Sequence, residues 1–283
     1  MKTSWLLEKD VFDENLASLK EAITSQGMEF KEWDVTSWGV WPTQEGDDAI
    51  LNLFQPEEDC VIFYGSLQTA RRLQQKAKWI PGVYATLPNY ECTHYYAYLG
   101  KYLLNSDYVM LPFGELNRRK DWLLKTLGNN GCLFIRPSSG FKIFTGKVVY
   151  KETWDKDIEL LGWYDVEPEK TVVVAEPRNI LKEWRIVIVD KKVVTGSLYR
   201  SCGTVDQQSG LPQDVLDYAN EIASQGFQPD RAWTADICQV SDGLQLLEIG
   251  SFSCAGLYKC DMQKVVQAVS ETSLAEWKEI NEY

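Results

Sequence analysis

Two carboxylates, Asp236 and Glu248, flank a short polar break in the segment WTADICQVSDGLQLLEIG. The apolar runs on either side predict strands, and the break predicts an antiparallel hairpin. If Ser241-Asp242-Gly243 is a three-residue loop with Gly243 left-handed, Val240 faces Leu244, Cys238 faces Leu246 and Asp236 faces Glu248. Directly opposed Cβ atoms in such a pair are about 4.5–5.5 Å apart. Two like charges there destabilise the sheet unless a cation lies between them, and a divalent metal is a natural occupant. A two-residue loop at Asp242-Gly243 would put the acids on opposite faces instead. Two unrelated surface acids remain the competing explanation.

A second hairpin adds charge of both signs. In EWRIVIV, Glu183, Arg185, Val187 and Val189 share one face of a strand. A charged start to an apolar face points Glu183 and Arg185 towards a polar cleft, with an internal ion pair at a strand end as the alternative. Arg200 ends the partner strand and can join them. The loop PSSGFKIFTG, which follows Arg136 and contains Lys142, has small residues whose N–H groups can approach an anion. It is neither a Walker A loop nor a GxGxxG fingerprint, and an ordinary surface loop competes with that reading.

Composition narrows the chemistry. The 283 residues include 41 acids and 29 Lys or Arg, a formal net charge of −12. A chain so acidic lacks the field that sequence-independent nucleic-acid binding requires, so no nucleic-acid partner is expected. His94 is the single histidine, which excludes every site built on two. A divalent ion would therefore be held by carboxylates, favouring magnesium, manganese or calcium. Seven scattered cysteines without a CxxC pair read as reduced and mostly buried. The start, MKTSWLLEKD, becomes charged before a secretory leader can develop, and no run approaches a membrane span. A soluble, cytoplasmic protein is expected, with most of the 11 tryptophans serving packing.

These groups must be positioned by elements of two kinds. Residues 3–8, 29–35 and 60–64 read as strands, with helices at Asp13–Gly27 and Gln68–Ala77, which predicts a small parallel α/β domain. Asp13 is the expected helix cap and Gly27 the left-handed end. Gly65-Ser66 reads as an ordinary strand-to-helix turn. The stretch 80–107 reads as irregular with one short helix. Beyond residue 115 the pattern becomes α+β. Helices are expected over Asn117–Gly128, Thr153–Leu161, Pro212–Gln225 and from Cys260. Strands are expected at Cys132–Arg136, Lys147–Tyr150 and Thr171–Glu176. Glu183–Asp190 and Val193–Arg200 form one hairpin across Asp190-Lys191-Lys192, and Trp233–Val240 with Leu244–Gly250 the other.

In this order the motifs FIRPSSGFKIFTGKVV, VVVAEPRNILKEWRIVIVDKKVVTGSLYR, WTADICQV and LQLLEIGSFSCAGLY resemble the ATP-grasp superfamily, in particular its R2K clade of bacteria and phages. The resemblance covers nearly half the chain, from Arg136 to Tyr258. It implies a pre-ATP-grasp α/β domain over residues 1–115 and an ATP-grasp domain over 116–283, two α+β lobes clamping a nucleotide with a lobe boundary near 176–183. It implies that Arg136 and Lys142 contact ATP phosphates under a flexible loop Ser138–Gly146, that Glu176 lies at the hinge by the adenine, and that Glu183 approaches the ribose. Arg185 and Arg200 would face the phosphates or the acceptor carboxylate, and Asp236 and Glu248 would hold Mg²⁺, or Mn²⁺ in its place.

The implied activity is that of a ligase: a carboxylate is activated as an acyl phosphate and attacked by an amine, on small-molecule or peptide substrates. The setting would be the cytoplasm, or the host cytoplasm for a phage protein. One position departs from the family pattern. Where an Asn usually follows the second metal-binding Glu by two residues, this chain has Gly250, and Ser251, Ser253 or water would have to substitute. A non-catalytic nucleotide-binding or interaction module is the alternative, and a phosphotransferase on the same scaffold ranks third. The acceptor's identity and the oligomeric state have no signature in the sequence.

Overall fold

A computed structural model describes residues 3–35, 43–141, 143–163 and 165–281. The chain begins with β1 (Thr3–Glu8), α1 (Asp13–Ser25), β2 (Glu29–Trp33), α2 (Gln44–Leu51), β3 (Cys60–Tyr64), α3 (Leu67–Lys76) and β4 (Ile80–Gly82). It continues through α4 (Cys92–Leu99), β5 (Tyr108–Pro112), α5 (Leu116–Leu127), β6 (Cys132–Pro137), β7 (Lys147–Tyr150), α6 (Trp154–Gly162) and β8 (Thr171–Ala175). The remaining elements are β9 (Lys182–Val189), β10 (Lys192–Ser201), β11 (Thr204–Ser209), α7 (Gln213–Ala223), β12 (Ala232–Val240), β13 (Gly243–Ser251) and α8 (Met262–Asn281). Two compact units interleave along this order: Met1–Thr86, Lys182–Ile237 and Glu248–Tyr283 form one, and Leu87–Leu181 with Cys238–Leu247 the other.

The first unit contains a parallel sheet ordered β2-β1-β3-β4. Strands β1 and β3 are buried along their whole length, as parallel strands covered on both faces must be. Trp5, Leu7 and Ile62 pack with Leu19 and Ile23 of α1 and with Val265, Val266 and Val269 of α8. The 265, 266, 269 spacing is one face of a helix, so a single stripe of α8 closes this core. Val187 and Val189 of β9 join the same cluster, which explains why that strand face begins charged and continues apolar.

Two turn readings are corrected. Phe12, not Asp13, occupies the N-cap position of α1, without a side-chain cap bond; Asp13 lies in the first turn, where its charge still suits the helix dipole. The β9–β10 turn has two residues rather than three: Lys192 already pairs with Val189, and Asp190 and Lys191 are both left-handed, at φ 44 and 64. That is the turn whose twist matches a tight hairpin. Gly27 takes the expected left-handed conformation, φ +74.

Strands β9 and β10 belong to a sheet ordered β11-β10-β9-β12-β13. The second unit is built on an antiparallel sheet ordered β5-β8-β6-β7. Its core sets Leu133, Ile135, Val172 and Val174 against Leu116 and Leu123 of α5 and Trp154, Ile158 and Leu161 of α6. No helix among the described residues is long and apolar enough to cross a membrane.

Candidate functional site

The geometry of the site starts from an irregularity in β10. Leu198 pairs with Trp184 of β9, but the next pair is Arg200 with Glu183, so Tyr199 is an extra residue on its strand. Such a bulge places two consecutive residues opposite one. Tyr199 and Arg200 accordingly both reach Glu183: the Tyr199 hydroxyl donates to Oε2 at 2.7 Å, and Arg200 Nε lies 3.8 Å from Oε1.

Next along the same face of β9 is Arg185, which grips Asp236 of β12 with two parallel bonds. Nε donates to Oδ1 at 2.5 Å and Nη2 to Oδ2 at 3.0 Å, while Nη1 donates to the Gly256 carbonyl at 2.8 Å. Tyr199 Oη also lies 3.4 Å from Asp236 Oδ2. Glu183, Arg185 and Asp236 are only 8%, 9% and 4% exposed, so this is a buried charge cluster. Desolvation opposes the Arg185 charge, but the Asp236 carboxylate outweighs it and raises the guanidinium pKa further. Burial, then the Asp236 and Glu183 charges, raise the Tyr199 hydroxyl far above its usual range, so it remains a donor.

Tyr258 completes the arrangement. Its ring stacks on Tyr199 with centroids 4.7 Å apart and planes 8° from parallel, and Arg185 lies over both rings at 5.4 and 5.9 Å. Tyr258 has φ 50, uncommon for a side chain of this size. Asn15 of α1 holds it there, donating to the Tyr258 carbonyl at 2.8 Å and accepting from Leu257 N at 2.9 Å.

Glu248 lies on β13, two residues before a contact that joins this strand to β12. Thr234 Oγ1 donates to the Gly250 carbonyl at 3.2 Å, and a Cβ added to Gly250 would come 2.8 Å from that oxygen. Residues 234 and 250 therefore share a face side by side. Gly243, at φ +122, supplies the turn residue that this register needs.

Two acids on one face suit a metal that takes its other ligands from phosphate and water. Two observations limit that fit. Both Asp236 oxygens already accept from Arg185, and no group of three or more His, Cys, Asp or Glu that could hold a metal occurs among the described residues. Gly250 contributes no side chain, and the Thr234 hydroxyl stands where one would begin.

Arg136 and Glu176 lie in the other unit. Arg136 is on β6, paired with Val173 of β8, and Gly146 folds back so closely that an added Cβ would meet Phe134 and Arg136. Glu176 follows β8; its carboxylate accepts from Asn129 Nδ2 at 2.7 Å, and its carbonyl from Asn105 Nδ2 at 3.4 Å. Lys142 lies outside the described residues. The loop around it is anchored at two points: Ser138 N donates to the Thr171 carbonyl, and Phe144 is buried in the core of that unit.

The Gly65-Ser66 turn has an internal partner. Ser66 N donates to Glu8 Oε2 at 2.7 Å, and Ser66 Oγ caps α3 by accepting from Thr69 N. His94 is exposed on α4, beside Tyr98. Tyr199, Tyr258 and Asn15 were not among the residues expected from sequence. The repeated Leu-Tyr before a basic residue, at Leu198-Tyr199-Arg200 and Leu257-Tyr258-Lys259, was the available signal.

A family model described as ATP-grasp domain, R2K clade family 2, matches residues 116–268, more than half of the chain. The chain belongs to this family. Among solved structures, the R2K-clade chain is similar to the D-cycloserine synthetase DcsG, with TM-score 0.65, 12% identity and coverage of 96% of this chain and 99% of that one. D-alanine–D-alanine ligase from Bacillus anthracis gives TM-score 0.59 and 13% identity over 99% of each chain. The ATP-grasp ligase PsnB, complexed with minimal precursor, Mg and ADP, gives TM-score 0.55 and 15% identity over 98% of each. No curated protein sequence matches. The fold is that of ATP-grasp ligases, and it implies ATP binding.

Proposed function

We propose that this R2K-clade protein is an ATP- and Mg²⁺-dependent ligase that activates a carboxylate as an acyl phosphate for attack by an amine. The observation that carries the proposal is the buried cluster of Glu183, Arg185 and Asp236 on β9 and β12, with the exposed Arg200 of β10 beside Glu183, in a chain of this fold. Glu183 is assigned to the ribose, held in orientation by Tyr199. Arg185 and Arg200 are assigned to phosphate oxygens and the acceptor carboxylate, for which a guanidinium offers a rigid fork of donors. Asp236 and Glu248 are the metal-holding residues, and Arg136, Lys142 and Glu176 are assigned to phosphates and adenine on the resemblance alone. Magnesium, when bound, neutralises phosphate charge, so catalysis is mainly positioning and electrostatic stabilisation. Small-molecule or peptide substrates in the cytoplasm suit this reading.

The test is calorimetry with AMPPNP and Mg²⁺, followed by ADP release across a panel of carboxylates and amines. Binding together with acceptor-dependent release that Glu248→Gln greatly reduces is expected; absence of nucleotide binding overturns the proposal. The Gly250 position favours a second reading, a nucleotide-binding module without turnover. It predicts AMPPNP binding and no ADP release with any acceptor.

A further inference from the structure

We infer that Arg185 is a displaceable stand-in for the metal on Asp236, so that the metal can enter only when the nucleotide accepts Arg185 in exchange. The inference rests on the ligase reading above and concerns the order in which that site fills.

Asp236 accepts Arg185 Nε at 2.5 Å and Nη2 at 3.0 Å, one bond to each oxygen, with the Tyr199 hydroxyl 3.4 Å from Oδ2. The bidentate fork occupies the in-plane side of the carboxylate, where a divalent ion binds most favourably. A metal added beside an undisturbed guanidinium would also face a buried like charge at short range, where screening is weak. One cation must give way. Glu248 alone is a poor substitute site, since Gly250 supplies no third ligand.

Leaving Asp236 is costly for Arg185 unless another anion receives it, because a buried charge without its partner is strongly disfavoured. Arg185 has two holds besides the carboxylate, the Gly256 carbonyl at 2.8 Å and the Tyr199–Tyr258 ring pair. Both are neutral and can keep the side chain near the site after the exchange. A triphosphate supplies the missing anion, and its fit to a guanidinium makes it the natural receiver. Metal and nucleotide therefore bind with positive coupling, and the metal alone binds weakly.

The experiment titrates Mn²⁺ into the nucleotide-free full chain and follows free Mn²⁺ by electron paramagnetic resonance. Wild type is expected to bind weakly, Arg185→Met at least tenfold more tightly, and Arg185→Lys in between, since lysine keeps the charge without the fork. Adding Asp236→Asn to Arg185→Met should abolish the gain. If Arg185→Met does not fold, Arg185→Gln carries the same expectation. No gain in the neutral variant, or a gain that survives Asp236→Asn, overturns the inference. AMPPNP calorimetry on wild type separates the two ideas: binding without a Mn²⁺ gain sinks the exchange alone, whereas a gain without AMPPNP binding sinks the ligase reading.

Discussion

Asn15 and Tyr258, 243 positions apart, are joined through both ends of one side-chain amide: Nδ2 donates to the Tyr258 carbonyl and Oδ1 accepts from Leu257 N. Asn15 is buried, so these bonds have no competition from water. They fix a backbone that would otherwise resist φ 50, and with it the ring that stacks on Tyr199. Asn15→Ala leaves the Leu257 N–H without its acceptor and should cost about 2–3 kcal/mol. The urea midpoint would fall at unchanged slope; an unchanged midpoint would remove Asn15 from this role.

Tyr199→Phe deletes the hydroxyl that Glu183 accepts at 2.7 Å and leaves the ring stack in place. A hydrogen bond to a charged group is worth about 1.5–3 kcal/mol, so the ATP KM should rise roughly tenfold or more while kcat changes little. Because burial and the neighbouring acids raise the Tyr199 pKa, the hydroxyl remains a donor throughout the pH range in which the protein is folded. A kcat loss at constant KM would instead place the hydroxyl in the chemical step.

Gly250→Asn tests whether the missing side chain can simply be restored. An added Cβ would approach Thr234 Oγ1 to 2.8 Å, so the single variant should be destabilised by about 1–3 kcal/mol through overpacking. Adding Thr234→Ala should recover most of that loss, and only the double variant should gain Mn²⁺ affinity in the presence of AMPPNP. Equal stability of the two variants in urea would show that Thr234 is not the obstacle.

Glu8 and Glu276 give the fold a pH signature. Burial, outweighing hydrogen bonds from Ser66 and Thr69, raises Glu8 above the ordinary 4.5, and burial, outweighing the Tyr84 bond, does the same to Glu276. An acid with a raised folded pKa binds more protons folded than unfolded. Its stabilising contribution is full below 4.5 and is lost as pH rises through the raised value. Denaturation at a series of pH values should show this decline, and Glu276→Gln should flatten it; a profile unchanged by the substitution would contradict the assignment.

Strands that alternate or run apolar were legible from residues alone, as β1, β3, β9 and β12 show. Those whose identity depends on a neighbour were not. Strand β11, TVDQQS, is a polar edge strand with Val205 75% exposed, and only its pairing with β10 defines it. Strand β5 lay hidden behind an irregular stretch and is recognisable by its register with β8. Within the site, the charged start of β9 at Glu183 and Arg185 was legible from the alternation of its residues. The bulge that brings Tyr199 onto Glu183 was not, since an extra residue in a strand leaves no mark on composition or period. Asn15 was illegible for a related reason: its partners lie at the far end of the chain.

Helix α8 has a consequence for biosynthesis. Val265, Val266 and Val269 cover Trp5, Leu7 and Ile62, so strands made first wait for a helix made about 200 or more residues later. At about 5–20 residues per second that interval lasts on the order of ten seconds or more. During it, an apolar sheet face with strong β propensity is without its lid, and a ribosome-bound holding factor would be most useful there.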